Sequence, residues 1–131
     1  MQDLEHARQM PALAENELKA LRGMTDVKTF SPEIFGFHAQ QAVEKALKSW
    51  LSLLGVAYPK IHDLEELFSL IQRQESAPEN LLPLISLTSF AVQFRYEVVE
   101  GHGQPLQRDQ TISQVSVLLD HVNERLERAE K

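Results

Sequence analysis

Residues 31–55 read SPEIFGFHAQQAVEKALKSWLSLLG, and this stretch decides the fold. Ser31 is a suitable N-cap, Pro32 fits the first helical turn, and Glu33 meets the positive end of a helix dipole. From there Phe35, Ala39, Ala42, Val43, Ala46, Leu47, Trp50 and Leu54 recur at steps of three and four. That spacing lays apolar side chains along one wide face of an α-helix. Gly55 is the expected stop, because glycine tolerates the left-handed backbone that ends many helices. Gln40, Glu44, Lys45 and Lys48 are expected on the opposite, solvated face, with Glu44 and Lys48 paired one turn apart.

Working outward, Leu4, Ala7, Met10 or Pro11, Ala14, Leu18 and Leu21 predict a helix over residues 2–22, with Gly23 ending it. Pro11 lies inside that pattern, where proline costs roughly 3 kcal/mol. Either the helix bends there or its stable part begins near Met10. On the other side, Tyr58-Pro59 opens a tight connection, and Asp63 with Glu66 three residues later reads as a capping box. Leu64, Leu67, Phe68 and Ile71 form the buried face of a short helix that fades near Gln74. A further helix is predicted over residues 80–99, with Pro83 in its first turn and Leu84, Leu87, Phe90, Ala91, Phe94 and Val98 as its core stripe. Residues 101–105 are a glycine-containing loop, and Asp109 is expected to cap a last helix to about Ala129. In it Ile112, Val115, Leu118, Leu119, Val122 and Leu126 point inward. No segment reads as a strand. The expectation is an all-α, up-and-down antiparallel bundle of four long helices plus one short helix, in one domain over residues 1–131.

Composition narrows the function classes. The absence of cysteine removes disulfides, thiolate metal sites and cysteine nucleophiles. The N-terminal MQDLEHARQM is charged throughout and lacks an apolar signal core. The apolar run at residues 50–56 is far too short for a membrane span. A cytoplasmic protein with no membrane association is expected. The net charge of −6 opposes non-specific nucleic-acid binding, so any RNA or nucleotide site must be a local basic patch.

Three segments together resemble the HEPN domain family (higher eukaryotes and prokaryotes nucleotide-binding): residues 37–48, FHAQQAVEKALK, with Leu54-Gly55-Val56 behind them; residues 58–64, YPKIHDL; and Phe94-Arg95-Tyr96. The AQQAVEKALK run with the YPKIHDL turn is the most specific part. The resemblance implies a helical bundle that commonly forms homodimers. It also implies either partnership with a minimal nucleotidyltransferase in a two-gene toxin–antitoxin module, or a metal-independent ribonuclease. Such ribonucleases carry an arginine and, a few residues later, a histidine near the end of the helix that corresponds to residues 80–99 here.

Arg95 and His102 match that pattern at its widest spacing, with six residues between them. RNA supplies its own nucleophile, the 2′-OH, so a histidine that moves a proton and an arginine that stabilises charge on the phosphate suffice, without metal or cofactor. Seven helical steps return a residue to nearly the same face, but about 10 Å along the axis. One phosphate between the two therefore needs both side chains to reach inward, or two sets paired in a dimer. His102 lies between Gly101 and Gly103, where the helix is expected to end. The plainer alternative is a polar helix edge at Arg95 and an exposed loop histidine.

His38, Gln41, Lys45 and Lys48 share one helical face and could hold a phosphate, a nucleotide or an acidic partner, with Tyr96 beside Arg95 as a further candidate. The alternative is a solvated face. His38, His62-Asp63 and Asp120 could be assembled into the metal-ligand set of an HD-type phosphohydrolase, but capping already accounts for Asp63. His6 and His121 have no partners at ligand spacing, and Trp50 reads as packing.

Overall fold

A computed structural model describes residues 4–58, 60, 63–90 and 107–130, and all regular structure among them is helical. Helix α1 spans Leu4–Arg22, α2 Pro32–Leu53 and α3 Leu64–Gln72; a 3₁₀ segment covers Glu79–Leu87, and α4 runs over Arg108–Glu130. The all-helical bundle expected from the sequence is what forms.

α2 is the central element and packs against α1, α3, the 3₁₀ segment and α4. Its start follows the expected chemistry, since the Ser31 hydroxyl accepts the Ile34 N–H at 3.2 Å. Its end is a Schellman motif. Val56 N–H bonds to the Leu51 carbonyl, Gly55 N–H bonds to that of Ser52, and Gly55 takes a φ of 74°. The predicted stripe is buried, Trp50 completely, although Leu54 is only partly covered. The polar side of α2 departs from expectation. Gln40 is fully buried and Glu44 nearly so, together with Ser49 and Ser52. A helix enclosed by other elements has no fully solvated face, so polar residues on it must find partners inside the protein.

α1 runs through Pro11 as one helix, without restarting at Met10. Contacts with α2 fix its direction: Ala7 lies opposite Ser49, and Glu17 lies opposite His38 and Lys45, so the two helices are antiparallel. α4 runs parallel to α2, because Arg108 sits over Phe35 and His121 over Trp50. Val115, Leu118, Leu119, Val122 and Leu126 face the core as expected, with Ile112 at its margin.

Three element boundaries differ in detail. Asp63 caps α3, but its carboxylate accepts from the Glu65 N–H rather than from Glu66; the Leu64 N–H is satisfied by the Thr88 hydroxyl at 3.0 Å. Residues 79–87 form a 3₁₀ helix where an α-helix was expected. Leu81, Leu84 and Leu87 are all buried, and three residues per turn keeps a repeat of three in line without the drift of an α-helix. Residues 88–90 continue in α conformation; Ala91, Phe94 and Val98 lie outside the described residues. Finally, α4 begins at Arg108, with Thr111 N–H bonding to the Gln107 carbonyl. Asp109 therefore lies in the first turn and is not the cap.

Arg108 explains that boundary. It is almost buried and donates to the carbonyls of Met24 at 2.7 Å, Phe30 at 2.6 Å and Asp26 at 3.4 Å. It thereby closes the α1–α2 connection onto α4. Asp26 orders the same loop by accepting from the Lys28 N–H and the Thr29 hydroxyl, bonds that hold its carboxyl below the ordinary value.

Among the described residues, no helix is long and apolar enough to cross a membrane.

Candidate functional site

The candidate stripe on α2 forms two sets of polar contacts. The first centres on Glu17 of α1, which the sequence reading did not single out. Glu17 Oε2 lies 2.6 Å from His38 Nδ1, and Glu17 Oε1 accepts from Lys45 Nζ at 3.1 Å. An ionised carboxylate can only accept, so Nδ1 carries the hydrogen in this pair. Phe37 meets the His38 ring edge-on, with centroids 5.5 Å apart. The antiparallel pairing of α1 and α2 makes this set, because Glu17 and His38 are far apart in sequence but level along the helices.

The second set is local to α2 and more deeply buried. Gln41 Nε2 donates to Gln40 Oε1 at 2.8 Å, Gln40 Nε2 donates to Glu44 Oε1 at 3.0 Å, and Lys48 Nζ donates to Glu44 Oε2 at 3.3 Å. Lys48 also lies 5.7 Å from the centroid of the Tyr58 ring, within range of a cation–π contact. The Glu44–Lys48 pair read from the sequence therefore exists, but little of either side chain reaches solvent. Burying a carboxylate is costly unless hydrogen bonds and an opposite charge compensate for it, as they do here.

His38, Gln41, Lys45 and Lys48 thus share a face, as their spacing required. Lys45 faces Glu17 and Lys48 faces Glu44, so the stripe has little net positive charge. A phosphate arriving there competes with two carboxylates, whereas a partner that offers both donors and acceptors finds an ordered set of groups. Arg95, Tyr96 and His102 lie outside the described residues, as does His62. Among the described residues, no group of three or more histidines, aspartates or glutamates is arranged to hold a metal ion. Asp63 is engaged as a helix cap.

The sequence signal for Glu17 was weak. A lone glutamate on an amphipathic helix looks solvated, and only the register between α1 and α2 turns it into a partner for a histidine and a lysine.

Comparison with known proteins gives one match: the family model described as HEPN domain fits residues 12–131. No curated protein and no solved structure matches the chain.

Proposed function

The chain belongs to the HEPN domain family, and from that premise we propose that it is a metal-independent endoribonuclease, the toxin-type half of a two-gene module whose other product is a minimal nucleotidyltransferase. The observation that carries this reading is the Arg95–His102 pair, which has the arginine-then-histidine order of the family's ribonucleases and lies inside the matched residues. In the proposed reaction the 2′-OH of RNA attacks the adjacent phosphorus and the bond to the 5′-oxygen breaks. The products are a 2′,3′-cyclic phosphate and a 5′-OH. His102 moves the proton between these oxygens, and Arg95 stabilises the charge that gathers on the phosphate. A homodimer supplies two such pairs, and Tyr96, beside Arg95, contacts the RNA.

The test is cleavage of single-stranded RNA by the purified chain in the presence of a chelator, with the ends identified chemically. His102→Ala and Arg95→Ala are each expected to lower the rate by about a hundredfold or more. A His102→Ala protein that cuts as fast as wild type would show the assignment to be wrong.

The ordered polar face of α2 favours a second reading. In it the chain is a non-catalytic module that binds a nucleotide or the nucleotidyltransferase through His38, Gln41, Lys45 and Lys48. The presence of Glu17 and Glu44 among these residues suits a mixed polar partner surface better than a bare phosphate. Calorimetry with ATP and with the nucleotidyltransferase separates the two: binding without RNA cleavage supports the module, and cleavage without binding supports the enzyme.

A further inference from the structure

Glu75, in the connection after α3, accepts from three donors. Trp50 Nε1 reaches Oε1 at 2.6 Å, Arg125 Nε reaches the same oxygen at 3.0 Å, and Arg125 NH2 reaches Oε2 at 2.9 Å. Burial pushes the Glu75 carboxyl up, but the bonds from Arg125 and Trp50 outweigh it and hold the group below its ordinary 4.5. Glu75 is therefore an ionised, multiply bonded clamp. It fixes Arg125 through two parallel bonds, which leaves the other edge of the guanidinium pointing elsewhere.

Arg125 also lines a surface depression of about 310 Å³, together with Glu75, Ser76, His121 and Arg128. His121, Arg125 and Arg128 are spaced four and three apart, so they share one face of α4. The His121 ring is set against Trp50, with centroids 4.6 Å apart and planes at 49°. The central tryptophan of the core thus supports the histidine from below while its N–H holds Glu75. Glu75 is the main opposing charge acting on His121, with Glu124 behind it, and of the two only Glu75 lines the depression. With Glu75 paired to Arg125, Arg128 leaves the lining with one net positive charge on a chain of net charge −6.

We propose that this depression is an anion site that binds the phosphate group of a small phosphate ester, with Arg125 and Arg128 as the charged ligands and His121 and Ser76 as hydrogen-bonding ones. Arg125 is preorganised by Glu75 to present its free edge to phosphate oxygens, and Arg128 closes the site from the next turn. The depression is wider than a lone phosphate, so the organic part of such an ester has room beside the arginines. The site shares no residue with Arg95 and His102 and does not depend on the ribonuclease reading.

The experiment is a titration of the isotope-labelled full chain, with inorganic phosphate and with adenosine 5′-monophosphate, followed by backbone amide NMR. Both probes are expected to shift amides at residues 75–76 and 121–128 in a saturable way, the nucleotide at lower concentration. Arg128 is exposed, so Arg128→Ala should leave the melting temperature unchanged while weakening binding by roughly tenfold. Arg125→Lys keeps the charge but loses the fork, and should weaken binding as well. Arg95→Ala and His102→Ala should bind as wild type does. Shifts that fail to saturate with either probe, or that are unchanged in Arg128→Ala, overturn the proposal.

Discussion

The Ser49 side chain donates its hydroxyl to the Ala7 carbonyl at 2.6 Å, and Ala7 is the residue whose helical hydrogen bond Pro11 removes. In an α-helix the N–H of residue 11 would bond to the carbonyl of residue 7, and proline has no N–H to give. The donor comes instead from the neighbouring helix. Both Ser49 and Ala7 are fully buried, so water is not available as a substitute. This is why α1 continues through a residue that normally breaks helices.

Ser49→Ala should leave the Ala7 carbonyl unpaired and destabilise the fold by about 1–3 kcal/mol. In a Pro11→Ala background the missing N–H returns and the same change should cost much less. Urea unfolding of the four proteins gives the coupling energy. Equal costs of Ser49→Ala in the two backgrounds would refute the link.

Gly36 lies inside α2, where glycine is otherwise a poor choice. A Cβ built there would lie 2.3 Å from Phe90 Cδ1 and 2.4 Å from Phe90 Cγ. Gly36→Ala should therefore destabilise by about 1–3 kcal/mol, although alanine favours helix by up to about 1 kcal/mol. Replacing the ring with Phe90→Leu should remove most of that penalty. Thermal melts of the single and double variants check this, and a stabilising Gly36→Ala would contradict it.

Arg108 is the residue that joins α4 to the α1–α2 loop. Arg108→Met should cost about 3 kcal/mol, because the carbonyls of Met24 and Phe30 lose charge-assisted donors at once. Arg108→Lys should recover less than half of the loss, since a single ammonium lacks the planar fork that serves two separated carbonyls. Hydrogen exchange should show the loosening first at residues 24–30.

His121 titrates below its ordinary value of 6.5, mainly because burial disfavours the charged ring. Arg128 and Arg125 push in the same direction, while Glu75 and Glu124 oppose them. The unfolded chain therefore takes up this proton before the folded one does. The stabilising contribution is present above 6.5 and is lost as the pH falls through the folded-state value. Denaturant midpoints measured between neutral pH and about pH 5 should fall less steeply in His121→Gln than in wild type. Identical slopes would show that His121 does not contribute.

The bundle was legible because its signals are local. The Ser31 cap, the Gly55 stop and the apolar period of α2 each concern residues within a turn or two of one another, and each formed as read. The short α3 face of Leu64, Leu67, Phe68 and Ile71 was legible for the same reason. The 3₁₀ geometry of residues 79–87 was misread because leucines at a spacing of three fit both helix types over a short span.

The sequence by itself determined α1, α2 and α3, the caps at Ser31 and Asp63, and the shared face of His38, Gln41, Lys45 and Lys48, all of which follow from local backbone periodicity and end chemistry. Only the tertiary structure decided who partners whom. Glu17 meets His38 and Lys45, Ser49 compensates for Pro11, Arg108 holds the α1–α2 loop, and Glu75 clamps Arg125 beneath Trp50. Each of these joins residues at least twenty positions apart, apart from the loss at Ala7 that Pro11 makes locally. Their contact depends on how the helices align against one another, and periodicity within a single helix says nothing about that alignment. Burial then sets the chemistry, because a polar group enclosed by neighbouring helices must be satisfied by them and not by water.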